Sequence, residues 1–309
     1  MPFRTDLTAT SARAVFSSIG LFNSRLSGRL CRRWTRLCSA YPNWFGMPAV
    51  RLLASTRAGT VSCDPRDGVQ STLLEQGEWE PTVSRTISRI LRPGDVFMDI
   101  GANIGYLSLL ASRIVGEAGL VIAVEPLREN VACLLDTCSR NRISNVVCLS
   151  LALSDFNRLV MLHLSGDGQV GLTSLRPLGS QTRRVLSCRL DGIMDEQQFA
   201  NVRLIKLDVE GAEMNVVLGM EKLFDRGHRP FVICEVTDSF ARSLGSSAGD
   251  LVQRLASYGY QLFGTHRQGD DSWTPVDPAE VPCEQFDMLC VPPEEDSREL
   301  LLAANTKGL

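Results

Sequence analysis

The stretch DIGANIGYLSLLASRIVGEAGLVIAVEP (residues 99–126) is the most informative part of the sequence, because it contains a glycine turn between two apolar runs and an acid at the end of the second run. The run VFMDI (96–100) predicts a buried strand, and LVIAVE (120–125) predicts another. Apolar residues recur at helical spacing between them, which predicts a helix over 104–115. A strand, a helix and a second strand in this order are typical of parallel pairing with a right-handed crossover.

The alternation of strands and helices continues along the chain. Its other predicted elements are short strands within 49–67, helices at 79–91, 127–141, 212–224 and 247–259, and strands at 146–152, 202–208 and 230–236. Strands predicted at 158–164 and 184–190 break the rhythm and indicate an inserted hairpin, followed by a short helix at 191–198. A closing antiparallel pair is expected from 260–265 and 286–291. The predicted fold class is therefore α/β, with a doubly wound, mostly parallel Rossmann-like sheet that carries a β insertion.

The bulk composition is that of a globular protein. The 309 residues are 44% hydrophobic and 22% charged, which is enough to bury a sizeable core. A net charge of −3 argues against a nucleic-acid partner held by the overall electrostatic field of the protein. The ten cysteines include no C-x-x-C pair and several lie in apolar runs, so a reducing cytoplasm is expected. Three widely separated histidines argue against a histidine-based zinc site, whereas assistance by a divalent metal at Asp208 stays open. No apolar run reaches the length of about 18 residues that a membrane span needs.

The first 48 residues differ in character from the rest. Between residues 3 and 38 they carry seven arginines against one acid, with apolar residues near helical spacing. This pattern predicts a basic helical N-terminal extension and linker over 1–48, with a membrane-surface helix or a transit peptide as the alternatives. The main domain is predicted over 49–292, and an acidic C-terminal tail over 293–309. A cytoplasmic protein is expected, with peripheral membrane contact if the extension is a membrane-surface helix.

The glycine turn is poorly suited to a phosphate. A dinucleotide site has the pattern G-x-G-x-x-G, whereas here Gly101 is followed by Ala102 and Asn103. No Gly-Lys-Ser/Thr follows either, which argues against a P-loop. Asp99, at the end of the first strand, puts negative charge where a phosphate would lie. Such an acid instead suits a ligand that carries a positive charge.

S-adenosylmethionine has the properties that this turn requires, since it carries a sulfonium and a ribose but no phosphate. Asp99 can attract the positive charge, Gly101 can let a ligand approach the backbone, and Asn103 tolerates an unusual backbone angle. Glu125 lies 20 residues after Gly105, at the end of the next strand, where an acid accepts the ribose hydroxyls of an adenosine. We expect these five residues to bind the cofactor. Taken singly, Asp99 could merely cap the turn and Glu125 could favour the next helix.

The sequence resembles the FkbM family of S-adenosylmethionine-dependent methyltransferases in six stretches: GEWEP (77–81), PGDVFMDIGANIGYLSLLAS (93–112), VIAVEPLRENVACL (121–134), ALSD (152–155), LIKLDVEGAEMNVVLGM (204–220) and FVICEV (231–236). The resemblance covers about residues 77–261 and implies a class I methyltransferase fold, with 49–292 as the cofactor-binding domain. It also implies O-methylation of a hydroxyl on a sugar, glycolipid or other secondary-metabolite-like acceptor. On this resemblance Glu80, within GEWEP, becomes a candidate cofactor-lining residue.

Polar residues at later strand ends predict the rest of the site. Ser154 and Asp155 end the third strand, where either could accept from the adenine amino group, although Asp155 could instead stabilise its own turn. Asp208 and Glu210 follow the fourth strand, and either could take the proton of an acceptor hydroxyl, although Glu210 could simply complement a helix dipole. Glu235 ends the fifth strand and is expected to face the cleft, because an unpaired buried acid is costly. We predict that Asp208, Glu210 and Glu235 are the catalytic residues.

Two neighbours of these acids are expected to have mainly structural roles. Lys206 alternates with apolar residues in its strand and is expected to be structural or paired with an acid. Glu213 is expected to act as a first-turn acid of the following helix.

Two other functions compete with methyl transfer. An NAD-dependent oxidoreductase uses a similar sheet, but the central glycine of its fingerprint and a Tyr-x-x-x-Lys pair are both missing. A non-catalytic adenosine-binding scaffold, attached to a membrane through the basic extension, is the second alternative. Acids at four strand ends argue against it, because a scaffold has no use for carboxylates that face a cleft.

Overall fold

The computed structural model describes residues 51–164, 173–175, 181–265, 272–281 and 284–297. The basic extension predicted over 1–48 lies outside these residues, as does the end of the acidic tail predicted over 293–309. The strands of the described part are β1 (Leu52–Ser55), β2 (Thr60–Cys63), β3 (Val96–Ile100), β4 (Leu120–Val124), β5 (Val146–Leu149), β6 (Ala152–Leu153), β7 (Arg158–Leu164), β8 (Thr173–Ser174), β9 (Thr182–Cys188), β10 (Val202–Leu207), β11 (Phe231–Thr237), β12 (Gln261–Thr265), β13 (Thr274–Pro275) and β14 (Gln285–Val291). The helices are α1 (Gly68–Gln76), α2 (Pro81–Ile90), α3 (Tyr106–Val115), α4 (Arg128–Arg140), α5 (Glu196–Ala200), α6 (Glu213–Gly219), α7 (Glu221–Asp225), α8 (Asp238–Ser243) and α9 (Ala248–Ser257), with a 3-10 helix at Leu190–Gly192.

An eight-stranded sheet forms the centre of the fold, in the order β13-β12-β14-β11-β10-β3-β4-β5. Strands β11, β10, β3, β4 and β5 are parallel, and β14 is antiparallel to both β11 and β12, which confirms the predicted closing pair. The chain builds outward from β3 to β5 on one side and from β10 to β11 on the other. The direction of winding therefore reverses between β3 and β10, and such a switch point opens a crevice at the carboxyl ends of the strands.

Helices cover both faces of the central sheet because its middle strands are apolar on both sides. Met98 and Ile100 of β3 belong to one buried cluster with residues of α6 and α9. Phe97, on the opposite face of the same strand, belongs to a second cluster with residues of α2 and α3. Strands buried on both faces are typical of parallel sheets. The predicted doubly wound α/β fold is confirmed. Within the described ranges, we find no helix with the length and apolar character needed to cross a membrane.

The inserted segment forms a second sheet, in the order β6-β9-β7-β8. β7 and β9 pair antiparallel, as expected for the predicted hairpin. The strand predicted over 146–152 is wrong at its end, because β5 stops at Leu149 and β6 pairs with β9 of the insertion instead. The N–H of Leu151 donates back to the carbonyl of Leu149, and this turn separates the two sheets.

Local backbone chemistry explains where the helices depart from prediction. Helix α3 begins at Tyr106, because its N-cap Gly105 has a left-handed φ of 86°. The helix predicted over 212–224 divides into α6 and α7 at Met220, whose φ of −108° and ψ of 1° lie outside the helical region. Helix α1 is absent from the sequence prediction, although Asp67 caps its N-terminus with its side chain.

We expect Gly105→Ala to lower the free energy of unfolding by about 2–4 kcal/mol. A Cβ at Gly105 would carry left-handed strain and would lie 2.7 Å from Cγ of Leu134 in α4. Gly94→Ala is the matched control, because Gly94 has a φ of +91° but open space around it, so strain alone should cost about 1–2 kcal/mol. Urea unfolding of both variants measures the difference. Equal losses would show that contact with α4 does not constrain this turn.

Candidate active site

A cavity of about 420 Å³ lies at the carboxyl ends of β3, β4 and β10, where the winding reverses. Its size is within the range of small-molecule sites. The predicted site residues that line it are Glu80, Asp99, Gly101, Asn103, Glu125, Asp208, Glu210 and Glu235. Polar residues predicted from five separate stretches of sequence therefore meet in one cavity.

Asp99 is a deeply buried acid of this cavity. The residue is 1% exposed, and its Oδ2 accepts a 2.5 Å hydrogen bond from the hydroxyl of Ser108 in α3. Its Oδ1 is buried and has no hydrogen-bond partner among the described residues. Burial raises the pKa of Asp99, while the nearby Lys206 ammonium and the Ser108 hydroxyl act in the opposite direction. An unpaired buried acceptor is costly, so this oxygen is suited to a ligand that carries a donor or a positive charge.

Glu125 joins the glycine turn to the start of the next helix. Its Oε2 accepts from the backbone N–H of Asn103 at 2.9 Å, and its Oε1 accepts from the N–H of Leu127 at 2.9 Å and from Nδ2 of Asn130 at 3.3 Å. Burial raises the pKa of Glu125 to about 7, even though these three hydrogen bonds favour the ionised form. A carboxylate has about four acceptor positions, so Glu125 retains capacity for a further donor.

Gly101 is required for a different reason from the predicted one. The sequence predicted that the lack of a Cβ at Gly101 makes room for a ligand. In the structure, the backbone of the protein itself fills that space. A Cβ at Gly101 would lie 1.8 Å from the carbonyl oxygen of Asp208, and the residue has a φ of +85°. The N–H of Asp208 also donates to the carbonyl of Ile100 at 3.0 Å. The absence of a side chain therefore lets the ends of β3 and β10 meet.

Lys206 and Asp208 form an ion pair on the cavity wall, which is the second of the two roles expected for Lys206. Nζ of Lys206 lies 2.6 Å from Oδ2 of Asp208, and the two side chains are 6% and 19% exposed. Lys206 also lies directly opposite Asp99 in the parallel pairing of β10 and β3. The ammonium group is thus placed among acids from neighbouring strands.

Glu210 occupies a strained turn that other residues hold in place. It has a φ of 57°, which is uncommon for a residue with a side chain. Glu213 is 3% exposed, and its Oε1 accepts from the N–H of Val209 at 3.0 Å and of Gly211 at 3.1 Å. The hydroxyl of Ser174, in the insertion, donates to the carbonyl of Glu210 at 2.9 Å. Glu213 is therefore more than a first-turn acid, because it fixes the turn that carries Glu210.

Strained backbone is concentrated around the cavity. Glu80 and Asn103 also have left-handed φ values, of 46° and 50°, and both line the cavity with Glu210. Strain of this kind persists only where surrounding contacts enforce it, and it is common at functional sites. The unusual backbone angle expected of Asn103 is confirmed.

Glu235 faces the cavity as predicted. It is half-buried, and its Oε1 accepts a 2.8 Å hydrogen bond from Nε2 of Gln285 on the neighbouring strand β14. Gln285 lines the cavity as well. The pair places one acid and one amide at the end of β11.

Three residues predicted to contact the cofactor lie off the cavity wall. Gly105 packs closely against Leu134 of α4, and a side chain at Gly105 would collide with that leucine. The hydroxyl of Ser154 donates to Oδ1 of Asp155 at 3.0 Å, and Nδ2 of Asn215 donates to the same oxygen at 3.1 Å. A Cβ on Gly219 would lie 2.1 Å from the carbonyl oxygen of Ser154, so α6 covers this turn closely. The structure thus gives these residues packing roles, and their cofactor contacts stay predictions.

Sequence reasoning missed two polar residues of the site. No role was predicted for Ser108, and Lys206 was expected to be structural or paired with an acid but not to be a residue of the site. The available signal for Ser108 was a polar residue on the buried face of a helix that otherwise packs apolar side chains. For Lys206 the signal was a lysine flanked by apolar residues in a strand that leads directly to an acid. The insertion also contributes apolar wall residues, Leu162 and Leu175.

A family model described as the methyltransferase FkbM domain matches residues 99–262. The 31-O-demethyl-FK506 methyltransferase FkbM of Streptomyces tacrolimicus is 28% identical over 202 residues, which cover 56% of this chain and 75% of the relative. The antimetabolite synthetase AmbE of Pseudomonas aeruginosa is 26% identical over 211 residues, which cover 56% of this chain and 10% of that much longer protein. A solved methyltransferase FkbM from Methylobacillus flagellatus superposes with a TM-score of 0.43 at 17% identity, over 72% of this chain and 52% of that one.

Glu213→Gln should change the pH dependence of stability. Burial raises the pKa of Glu213 to about 7, so the folded state favours the protonated acid and loses stability as the pH rises from about 4.5 to 7. The loss is on the order of 1 kcal/mol for each pH unit. The glutamine keeps an oxygen that accepts from the N–H groups of Val209 and Gly211, but it does not ionise. The free energy of unfolding of the variant should therefore rise relative to that of wild type as the pH increases over that range.

Urea unfolding at several pH values measures this gain. Glu117→Gln, at an exposed loop position, is the control and should follow the wild-type curve. If the Glu213→Gln curve also runs parallel to wild type, Glu213 does not titrate in this range.

Proposed function

The chain belongs to the methyltransferase FkbM family, and we propose that it transfers a methyl group from S-adenosylmethionine to a hydroxyl of a sugar, glycolipid or other secondary-metabolite-like acceptor. The family match covers more than half of the chain. Methyl transfer and the cofactor follow from membership, whereas the hydroxyl acceptor is our proposal. The observation that carries it is the meeting of a cofactor-type turn and a second group of acids in one cavity.

The residues around the glycine turn fit S-adenosylmethionine. The buried oxygens Asp99 Oδ1 and Asn103 Oδ1 have no hydrogen-bond partner among the described residues, and both residues line the cavity. Asp99 suits the positively charged part of the cofactor, and Glu125 has acceptor capacity for ribose hydroxyls. When bound, the cofactor supplies a methyl group on a positively charged sulfur.

The acids that follow β10, together with Glu235 near the end of β11, are placed to bind the acceptor. In the transfer, the acceptor oxygen bonds to the methyl carbon, the sulfur keeps the electron pair of the broken bond, and the hydroxyl proton passes to a base. Asp208 is the proposed base, because its carboxylate lies on the cavity wall at the end of β10. Glu210 and Glu235 are proposed to orient the acceptor. Alignment of this kind contributes a large part of the rate, and a general base typically adds about 10²–10⁴-fold.

The two competing functions are less consistent with these observations. A pyrophosphate would have to lie near the carboxylates of Asp99 and Asp208, so a dinucleotide is disfavoured. A scaffold would not need strained acidic turns around a cavity. The family match likewise favours methyl transfer.

Ligand binding tests the cofactor assignment. S-adenosylmethionine and S-adenosylhomocysteine should each raise the free energy of unfolding by about 2.7 kcal/mol at 100 times their dissociation constants, and NAD should have no effect. Asp99→Asn should weaken S-adenosylmethionine binding by about tenfold or more, because the sulfonium loses its counter-charge. Thermal shift and calorimetry measure both effects, with the exposed Glu117→Gln as control. A response to NAD alone would reverse the assignment.

Turnover tests the role of Asp208. Asp208→Asn should retain S-adenosylhomocysteine binding but lower the transfer rate by about 10²–10⁴-fold, since an amide cannot take the proton. Radiolabelled methyl transfer to fractionated metabolites of the host, followed by identification of the labelled product, supplies the assay and the acceptor. Transfer at the wild-type rate would remove Asp208 from this role, and a label on nitrogen or carbon would contradict the hydroxyl acceptor.

A further inference from the structure

We propose that Lys206 sets the charge of the cofactor site, so that the site prefers the positively charged methyl donor over the neutral thioether product by a moderate margin. Lys206 is a positioning residue in this role, because it acts through the carboxylates of Asp99 and Asp208. The role rests on the proposed function only through the identity of the cofactor. It does not depend on the acceptor.

The geometry places the Lys206 ammonium among acids from three parts of the chain. Its Nζ lies 2.6 Å from Oδ2 of Asp208, two residues further along the same strand. Asp99 lies opposite Lys206 on β3, and Glu80, which precedes α2, also interacts with the ammonium group. All four residues line the cavity.

The ammonium group stays charged in this setting. Burial alone would lower the pKa of Lys206, but the carboxylates of Asp208, Glu80 and Asp99 outweigh burial and hold its pKa well above the ordinary value. Lys206 is 5% exposed, so bulk water screens these interactions weakly. The lysine is therefore a fixed positive charge over the whole physiological pH range.

Without that charge, the carboxylates of Asp99 and Asp208 would share a cleft that Glu80 also lines. Asp99 and Asp208 act on each other as like charges, which disfavours ionisation of both. The charge of Asp208 also acts on Glu213 and Cys234, and neither of these groups supplies positive charge. Lys206 thus favours the ionised forms of both acids. With both ionised, the three groups Asp99, Lys206 and Asp208 have a formal sum of −1, and Glu80 is unchanged in every variant compared below.

A net negative charge has different consequences before and after transfer. The donor carries a sulfonium, which the charge attracts, whereas the product carries a neutral thioether, which it does not. A sum of −1 therefore strengthens the binding of the donor and leaves the binding of the product largely unchanged. A sum of −2 would increase the contrast, and a sum of 0 would reduce it.

Four proteins separate these charge states: wild type (−1), Lys206→Met (−2), Asp208→Asn (0) and the double variant (−1). Calorimetry at about pH 8.5 gives the ratio of dissociation constants for S-adenosylhomocysteine and S-adenosylmethionine in each protein. The preference for S-adenosylmethionine should be greatest in Lys206→Met, equal in wild type and the double variant, and smallest in Asp208→Asn. The ratio of dissociation constants should change by roughly threefold to tenfold for each unit of charge. The excess in Lys206→Met should shrink as the pH falls, since a proton on one of the two acids can replace the ammonium.

Lys222→Met is the matched control, because Lys222 is an exposed lysine on α7 and should leave the ratio unchanged. If Lys206→Met does not fold, the double variant and Asp208→Asn still differ by one charge and must still differ in ratio. Equal ratios in all folded variants would overturn the role of Lys206 while leaving the methyltransferase function intact. A wild-type protein that binds neither compound would instead refute the proposed function.

Discussion

The close contact between the ends of β3 and β10 is the constraint on which the site depends. The carbonyl oxygen of Asp208 occupies the space that a side chain at Gly101 would fill. Because these strands meet so closely, Asp99, Lys206 and Asp208 come together across two neighbouring strands that are far apart in sequence. The switch in winding direction opens the crevice, and this contact determines which charges line it.

Two buried glutamates stabilise the loops on either side of that contact. Glu125 accepts the N–H of Asn103, and Glu213 accepts the N–H groups of Val209 and Gly211. Burial disfavours the ionised form of both acids and raises the pKa of each to about 7. The left-handed conformations within these loops persist because such contacts enforce them. The site is therefore rigid where it carries charge, which is how enzymes lower the cost of reorganisation during reaction.

The strand ends were predictable from sequence because buried parallel strands are apolar runs, and an acid that follows one stands out. Asp99, Glu125, Asp208 and Glu235 were found in this way. What the pattern could not give was the partner of each group. The contact between Gly101 and Asp208 joins residues that are far apart in the chain. The sequence therefore could not show that Gly101 lacks a side chain because the strands pack closely there, and its small size was attributed to a ligand instead. The end of strand β5 at Leu149 was not predictable either, because it depends on the residues that follow pairing with the second sheet, which is a tertiary effect.

A crystal structure of the protein with S-adenosylhomocysteine tests the central claim most directly, because it shows which atoms each acid contacts. We expect the ribose hydroxyls to contact the carboxylate of Glu125 and the sulfur to lie on the side of the cavity that Asp99 and Asp208 share. A nucleoside bound outside this cavity, or a diphosphate lying across Asp99, would contradict it.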